Sequence, residues 1–166
     1  RRQRKLDQVE IPEHHLFITG DLLGKGGFGG VYLADYNGYN AAAKVWNESP
    51  PNEMEICQRR AFWEEIEAMI RLRSPNTVNV YGAVTSLPDR MVLVMELLVG
   101  GDLWTLLRKS TEPFPDEQSR RIIRDICTGM AFLHSKNTVH GDLKSPNVLL
   151  DGDGRAKVII LICSSY

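Results

Sequence analysis

Asp142, Lys144 and Asn147 stand close together in His140-Gly-Asp-Leu-Lys-Ser-Pro-Asn147, which runs straight into the apolar Val148-Leu149-Leu150. Their types suit phosphoryl transfer. A carboxylate can orient an attacking hydroxyl, a cation can meet the charge of the moving phosphate, and an amide oxygen can ligate Mg²⁺. Asp, Lys, Ser, Pro and Asn are also ordinary turn residues between a helix and a strand. By itself the stretch leaves both readings open.

The elements that would position these residues can be traced along the chain. Leu16 to Leu23 has the pattern of a strand and leads into Gly24-Lys25-Gly26-Gly27-Phe28-Gly29-Gly30-Val31, spaced G-x-G-x-x-G-x-V. A dinucleotide-binding turn should feed a helix. Here Val31 to Ala34 is strand-like and Asn37-Gly38 signals a hairpin. A glycine loop between two strands makes a flap whose backbone N–H groups can come close to phosphates. A merely flexible hairpin is the plainer alternative. Lys44 ends the next strand after Ala41-Ala42-Ala43, alanines that weaken strand propensity. Phe62, Ile66, Met69 and Ile70 recur at helical spacing within Arg59–Arg73, and Pro75 stops that helix. Glu64, Glu65 and Glu67 decorate it.

Arg90 to Glu96 is a further strand, followed by Gly100-Gly101, a connection that can flex. Asp102 is placed to cap a helix over Leu103–Lys109. A longer helix from Asp116 to His134 has Ile122, Ile126, Met130 and Leu133 on one face, widened by Ile123. His14, His15 and His134 look like surface residues.

Composition is that of one ordinary globular domain, with 43% hydrophobic and 25% charged residues. A net charge of −1 gives no pull toward nucleic acid. Cys57, Cys127 and Cys163 lie far apart with no C-x-x-C pair, which indicates neither zinc nor a disulfide framework and fits a reducing cytosol, so a cytoplasmic location is expected. No apolar run approaches the roughly 18 residues of a membrane span. The opening Arg-Arg-Gln-Arg-Lys run is either a solvated linker or a patch for anionic lipid at the membrane attachment of a longer parent. Both ends look cut.

The loop at His140–Asn147, the flap, Lys44 and the order in which they come resemble the protein kinases, over roughly Phe17 to Lys157. Ser74 to Ala83 resembles the stretch between that family's C helix and fourth strand. The resemblance implies an α+β, protein-kinase-like fold: a complete N-lobe (antiparallel sheet plus C helix) and the first part of the helical C-lobe. Residues 1–15 would be a basic linker. An incomplete kinase domain would fill 16–166, with the N-lobe at about 16–95, the hinge at about 96–101 and a partial C-lobe at 102–166.

The implied cofactors are ATP and Mg²⁺, and the implied partners are ATP and protein substrates. Asp142 would orient the hydroxyl, Lys144 would steady the γ-phosphate, and Asn147 would hold the metal. Lys44, fixed by Glu65, would grip the α- and β-phosphates under the flap of Leu23, Gly24, Lys25, Gly26, Gly27, Phe28 and Gly29. Leu23, Val31, Ala42 and Leu149 would sandwich adenine, with Met95 as gatekeeper and the backbone of Glu96 and Leu98 as its hydrogen-bond partners. Asp102 would either meet the ribose or simply cap its helix. His140 would be scaffold, neither acid nor base. Within that family Lys144 implies Ser/Thr rather than tyrosine specificity, and KSPNVLL with the G-G-F-G-x-V-Y-x-A pattern most resembles tyrosine-kinase-like serine/threonine kinases.

Two departures qualify this. Gly141 stands where many kinases carry an Arg that pairs with an activation-loop phosphate, which weakens the expectation of that control. Where the family's metal-binding Asp-Phe-Gly should follow a short strand, the residues are Ile160-Leu161-Ile162. Ile offers no oxygen to a hard cation. Asp151 and Asp153 sit in an Asp-Gly-Asp-Gly turn and are not promoted in its place. The expected function is ATP-dependent phosphorylation of protein Ser/Thr hydroxyls. A pseudokinase that binds nucleotide or protein partners is the alternative, and an altered message near Ile160 is a third reading. The helix from Asp116 is expected to leave part of its apolar face open.

Overall fold

The computed structural model describes residues 9–26, 29–47, 66, 69–86 and 90–160. They fall into two units, residues 1–70 with 80–97, and residues 71–79 with 98–166.

The first unit is an antiparallel sheet of β1 (Leu16–Gly26), β2 (Gly29–Tyr36), β3 (Tyr39–Asn47), β4 (Val80–Val84) and β5 (Arg90–Glu96), in the order β1-β2-β3-β5-β4. Asn37 and Gly38 turn the β2–β3 hairpin with φ of 52° and 85°, the paired positive angles that a tight two-residue hairpin needs. The Gly38 amide donates to the Asp35 carboxylate at 2.8 Å. Strand alternation puts Ala41 and Ala43 on one face of β3 and Ala42 and Lys44 on the other.

The alanines that weaken β3 as an isolated strand have a packing reason. Ala34, Ala41 and Ala43 share a core with Val45, Val84, Val92, Val94 and Ile11, and Ile11 is only 4% exposed. Small side chains leave Ile11 room to sit there, so tertiary packing overrides local propensity. Ile11 belongs to a strap, residues 9–15, laid along β4. The Ile11 amide donates to the Ala83 carbonyl at 2.7 Å, and the Ala83 amide donates to the Val9 carbonyl at 2.9 Å. The Glu10 carboxylate accepts from the Thr85 amide at 2.9 Å and from its hydroxyl at 2.7 Å. A Cβ on Gly82 would collide with the Val9 carbonyl, so only glycine permits so close an approach. The linker expected through residue 15 is therefore packed structure from residue 9 onward.

Residues 66 and 69–71 are helical, with Ile66 and Met69 buried. The rest of the helix expected over Arg59–Arg73, Glu65 included, lies outside the described residues.

The second unit holds α1 (Leu103–Lys109), α2 (Asp116–Ser135) and a small sheet of β6 (Gly101–Asp102), β7 (Val148–Leu150) and β8 (Ala156–Val158). Asp116 and Glu117 occupy the first turn of α2, where negative charge suits the helix dipole. Ile122, Val148, Leu150 and Ala156 form its core, joined by Leu103, Leu106, Phe114 and Ile126. Ile123 on α2 is open to solvent, 60% exposed, and part of that helix's apolar face is thus uncovered. Asp125, buried in mid-helix, accepts from the Ala156 amide at 3.0 Å and so ties α2 to β8. Residues 76–78 join the same unit: Val78 donates to the Val158 carbonyl at 3.1 Å, and Val158 donates to that of Asn76 at 2.9 Å. Among the described residues, no helix is long and apolar enough to cross a membrane.

Candidate active site

The loop between α2 and β7 brings Asp142, Lys144 and Asn147 together. Lys144 Nζ lies 2.9 Å from Asp142 Oδ2. Asn147 Nδ2 donates to the same carboxylate oxygen at 3.0 Å and to the Asp142 backbone carbonyl at 2.8 Å. A one-turn 3-10 segment, Ser145–Asn147, with Pro146 inside it, carries the Asn back toward the Asp. The Lys144 ammonium hydrogen-bonded to Asp142 holds that carboxyl below the usual carboxylate range, and the Asn147 amide adds to the effect. Asp142 is thus an ionised acceptor at neutral pH, suited to orienting a hydroxyl.

His140 is buried and anchors the loop from beneath. Its Nδ1 accepts from the Asp142 amide at 3.2 Å, so the proton sits on Nε2, which donates to the Ile159 carbonyl at 2.7 Å. Both ring nitrogens are committed to backbone, which bears out the scaffold role. The Ile159 carbonyl is a functional neighbour that the sequence reading did not anticipate, because only the folded hairpin of β7 and β8 delivers it. Asp151 accepts from the amides of Asp153 and Arg155, both at 2.9 Å, as an ordinary turn carboxylate.

The remaining candidates lie on framework positions of their own units. In the first, Gly24, Lys25 and Gly26 end β1, Gly29 and Val31 open β2, and Leu23 is half exposed. Gly27 and Phe28 lie outside the described residues. Val31 is opposite Lys44, Ala42 opposite Met95, and Ala41 opposite Glu96 in the strand register. Lys44 Nζ lies 4.1 Å from the centre of the Trp46 ring, a cation–π contact. Trp46 had no motif to mark it; its place two residues after Lys44 on one strand face was the available signal. Burial, with the nearby Glu96 carboxylate, pushes the Tyr81 hydroxyl above its ordinary pKa.

In the second unit, Leu149 pairs with Asp102 in the β6–β7 register, and Leu98 is buried. Asp102 engages both carboxylate oxygens with Thr105, at 2.8 Å to the amide and 2.7 Å to the hydroxyl. Of its two expected roles, capping is the one these bonds serve.

A metal at this loop would depend on oxygen donors. The Nδ2 of Asn147 is taken, leaving its Oδ1. The matching carboxylate position is Ile160, 1% exposed and without an oxygen in its side chain. Among the described residues, no group of three His, Cys, Asp or Glu is arranged to hold a metal ion. These donors do not fit Mg²⁺, which asks for a near-octahedral oxygen shell with carboxylate help.

A family model described as protein tyrosine and serine/threonine kinase matches residues 17–160. Among curated relatives, the mitogen-activated protein kinase kinase kinase YODA of Arabidopsis thaliana is 36% identical over 144 residues, covering 84% of this chain and 16% of that protein. The serine/threonine-protein kinase CTR1 of Arabidopsis thaliana is 37% identical over 156 residues, covering 92% of this chain and 18% of that protein. The tyrosine-protein kinase Fer of Mus musculus is 33% identical over 153 residues, covering 92% and 18%. The chain spans less than a fifth of the length of these relatives. With a family model matched over residues 17–160, this chain belongs to the protein kinase family.

Proposed function

We propose that this chain is the ATP-handling part of a serine/threonine protein kinase of the tyrosine-kinase-like group, working in the cytosol on protein hydroxyls. The observation that carries the proposal is the Asp142–Lys144 pair at 2.9 Å, braced by Asn147 on the same oxygen. Asp142 accepts a hydrogen bond from the attacking hydroxyl and aims it. Lys144 leaves the carboxylate to meet the γ-phosphate as charge builds there. A lysine two residues after the carboxylate supports serine and threonine over tyrosine as acceptors. Lys44 holds the α- and β-phosphates beneath the glycine flap; Glu65, the carboxylate expected to fix it, lies outside the described residues. In the first unit Leu23, Val31, Ala42, Met95 and the Glu96 backbone are the residues proposed for adenine, and in the second unit Leu149 and the Leu98 backbone.

Ile160 favours a second reading, in which the domain binds nucleotide and acts through partner contacts without transfer. One experiment separates the two. The chain is incubated with γ-labelled ATP and a generic acceptor protein, and nucleotide binding is measured in parallel. Label on serine and threonine, lost in Asp142→Asn, supports the kinase. Binding with no label supports the second reading, and neither binding nor label removes both.

A further inference from the structure

We infer that this domain takes its nucleotide as the free anion, with no divalent cation between the phosphates and the protein. The inference rests on the nucleotide-binding reading above and holds whether or not transfer follows.

Backbone bonds fix residue 160 beside the loop. The Ile159 amide donates to the Asn147 carbonyl at 2.9 Å, and the Ile159 carbonyl accepts from His140 at 2.7 Å. Residue 160 thus follows directly on the backbone beside Asn147, at the position where a cation would need a carboxylate. Ile160 instead turns into the core, 1% exposed. Among the described residues, no other carboxylate of this loop region takes over. Asp142 Oδ2 is engaged by both Lys144 and Asn147. Asp151 is held by two turn amides, and Asp125 is buried against Ala156.

What the loop does offer is positive charge. Lys144 is half exposed and carries three N–H donors on a flexible stem. Chelation by Mg²⁺ removes two negative charges from ATP. In a site with a metal-binding carboxylate, the bridge formed through the ion makes up for that lost attraction. Here the bridge has no anionic anchor, so chelation weakens the pull toward lysine and returns little.

The test is calorimetric titration of the 166-residue chain with ATP, once with magnesium chloride in excess and once with EDTA. We expect dissociation constants within about threefold of each other, or tighter binding in EDTA. Binding at least about tenfold tighter with magnesium overturns the inference while leaving the nucleotide-binding reading intact. No binding in either buffer overturns both. Ile160→Asp, if it folds, should gain a preference for magnesium; a folded variant still indifferent to the cation would also count against the inference. Should that variant fail to fold, the two-buffer comparison on the unaltered chain decides alone.

Discussion

Asn147 closes a ring on Asp142: one side-chain amide donates to the backbone carbonyl at 2.8 Å and to the carboxylate at 3.0 Å. The Asn147 side chain is buried, and removing it takes both of these bonds from Asp142. Asn147→Ala should cost about 1–3 kcal/mol, seen as a fall of several degrees in Tm. An unchanged Tm would mean that backbone bonds alone shape the loop.

The Asp142 carboxyl should titrate below its ordinary value, because Lys144 stabilises the ionised form. A depressed folded-state pKa gives a contribution that is fully present above the unfolded value and is lost as pH falls through the folded one. Lys144→Met removes the main cause, and the midpoint should rise toward the ordinary value of about 3.9. Carbon-detected NMR of the carboxyl follows this directly. A midpoint indifferent to Lys144→Met would show that the pair does not persist in solution.

The strap is held by one buried side chain and a close backbone approach. Ile11→Ala opens a cavity in the cluster it shares with Ala34, Ala41, Ala43 and the valines and should cost about 2–5 kcal/mol. Gly82→Ala pushes against the Val9 carbonyl and should release the strap. Hydrogen exchange at the Ile11 and Ala83 amides reads both variants. If those amides stay protected in Gly82→Ala, the strap tolerates the extra methyl and its contact is looser than described.

Gly141 sits at φ 76°, in the left-handed region, with open space where a Cβ would go. The strain of a side chain there is thus in the backbone alone. Gly141→Ala should destabilise by about 1–2 kcal/mol, and Gly141→Asn by less, since Asn tolerates this conformation. Equal Tm values for Ala, Asn and Gly at this position would refute the argument.

The loop and several of the strands were legible because their signals are local. Asp142, Lys144 and Asn147 announce themselves by type and spacing, Asn37-Gly38 by turn chemistry, and Asp102 by its place before an apolar helix. The strap was hidden, since Val9 to His15 carries no period or motif and gains its structure from β4 and from the alanines beneath it. Those alanines counted against β3 when read locally; in the fold they make room for Ile11. The acceptor of His140 was equally out of reach. A backbone carbonyl has no residue signature, and Ile159 comes near only once β7 and β8 have paired.

Residues 76–78 find their partners in 156–158, and the Asn76 amide reaches the Ala156 carbonyl across 80 positions at 3.1 Å. During synthesis the strands β1 to β5 can pair as soon as residue 96 is free of the ribosome. The second unit has no such liberty. Until residue 158 emerges, the buried backbone of Asn76 and Val78 has neither its partners nor shelter, and the loop between the two segments must then close in one step. The bonds between residues 76–78 and 156–158 therefore cannot form until β8 has been made.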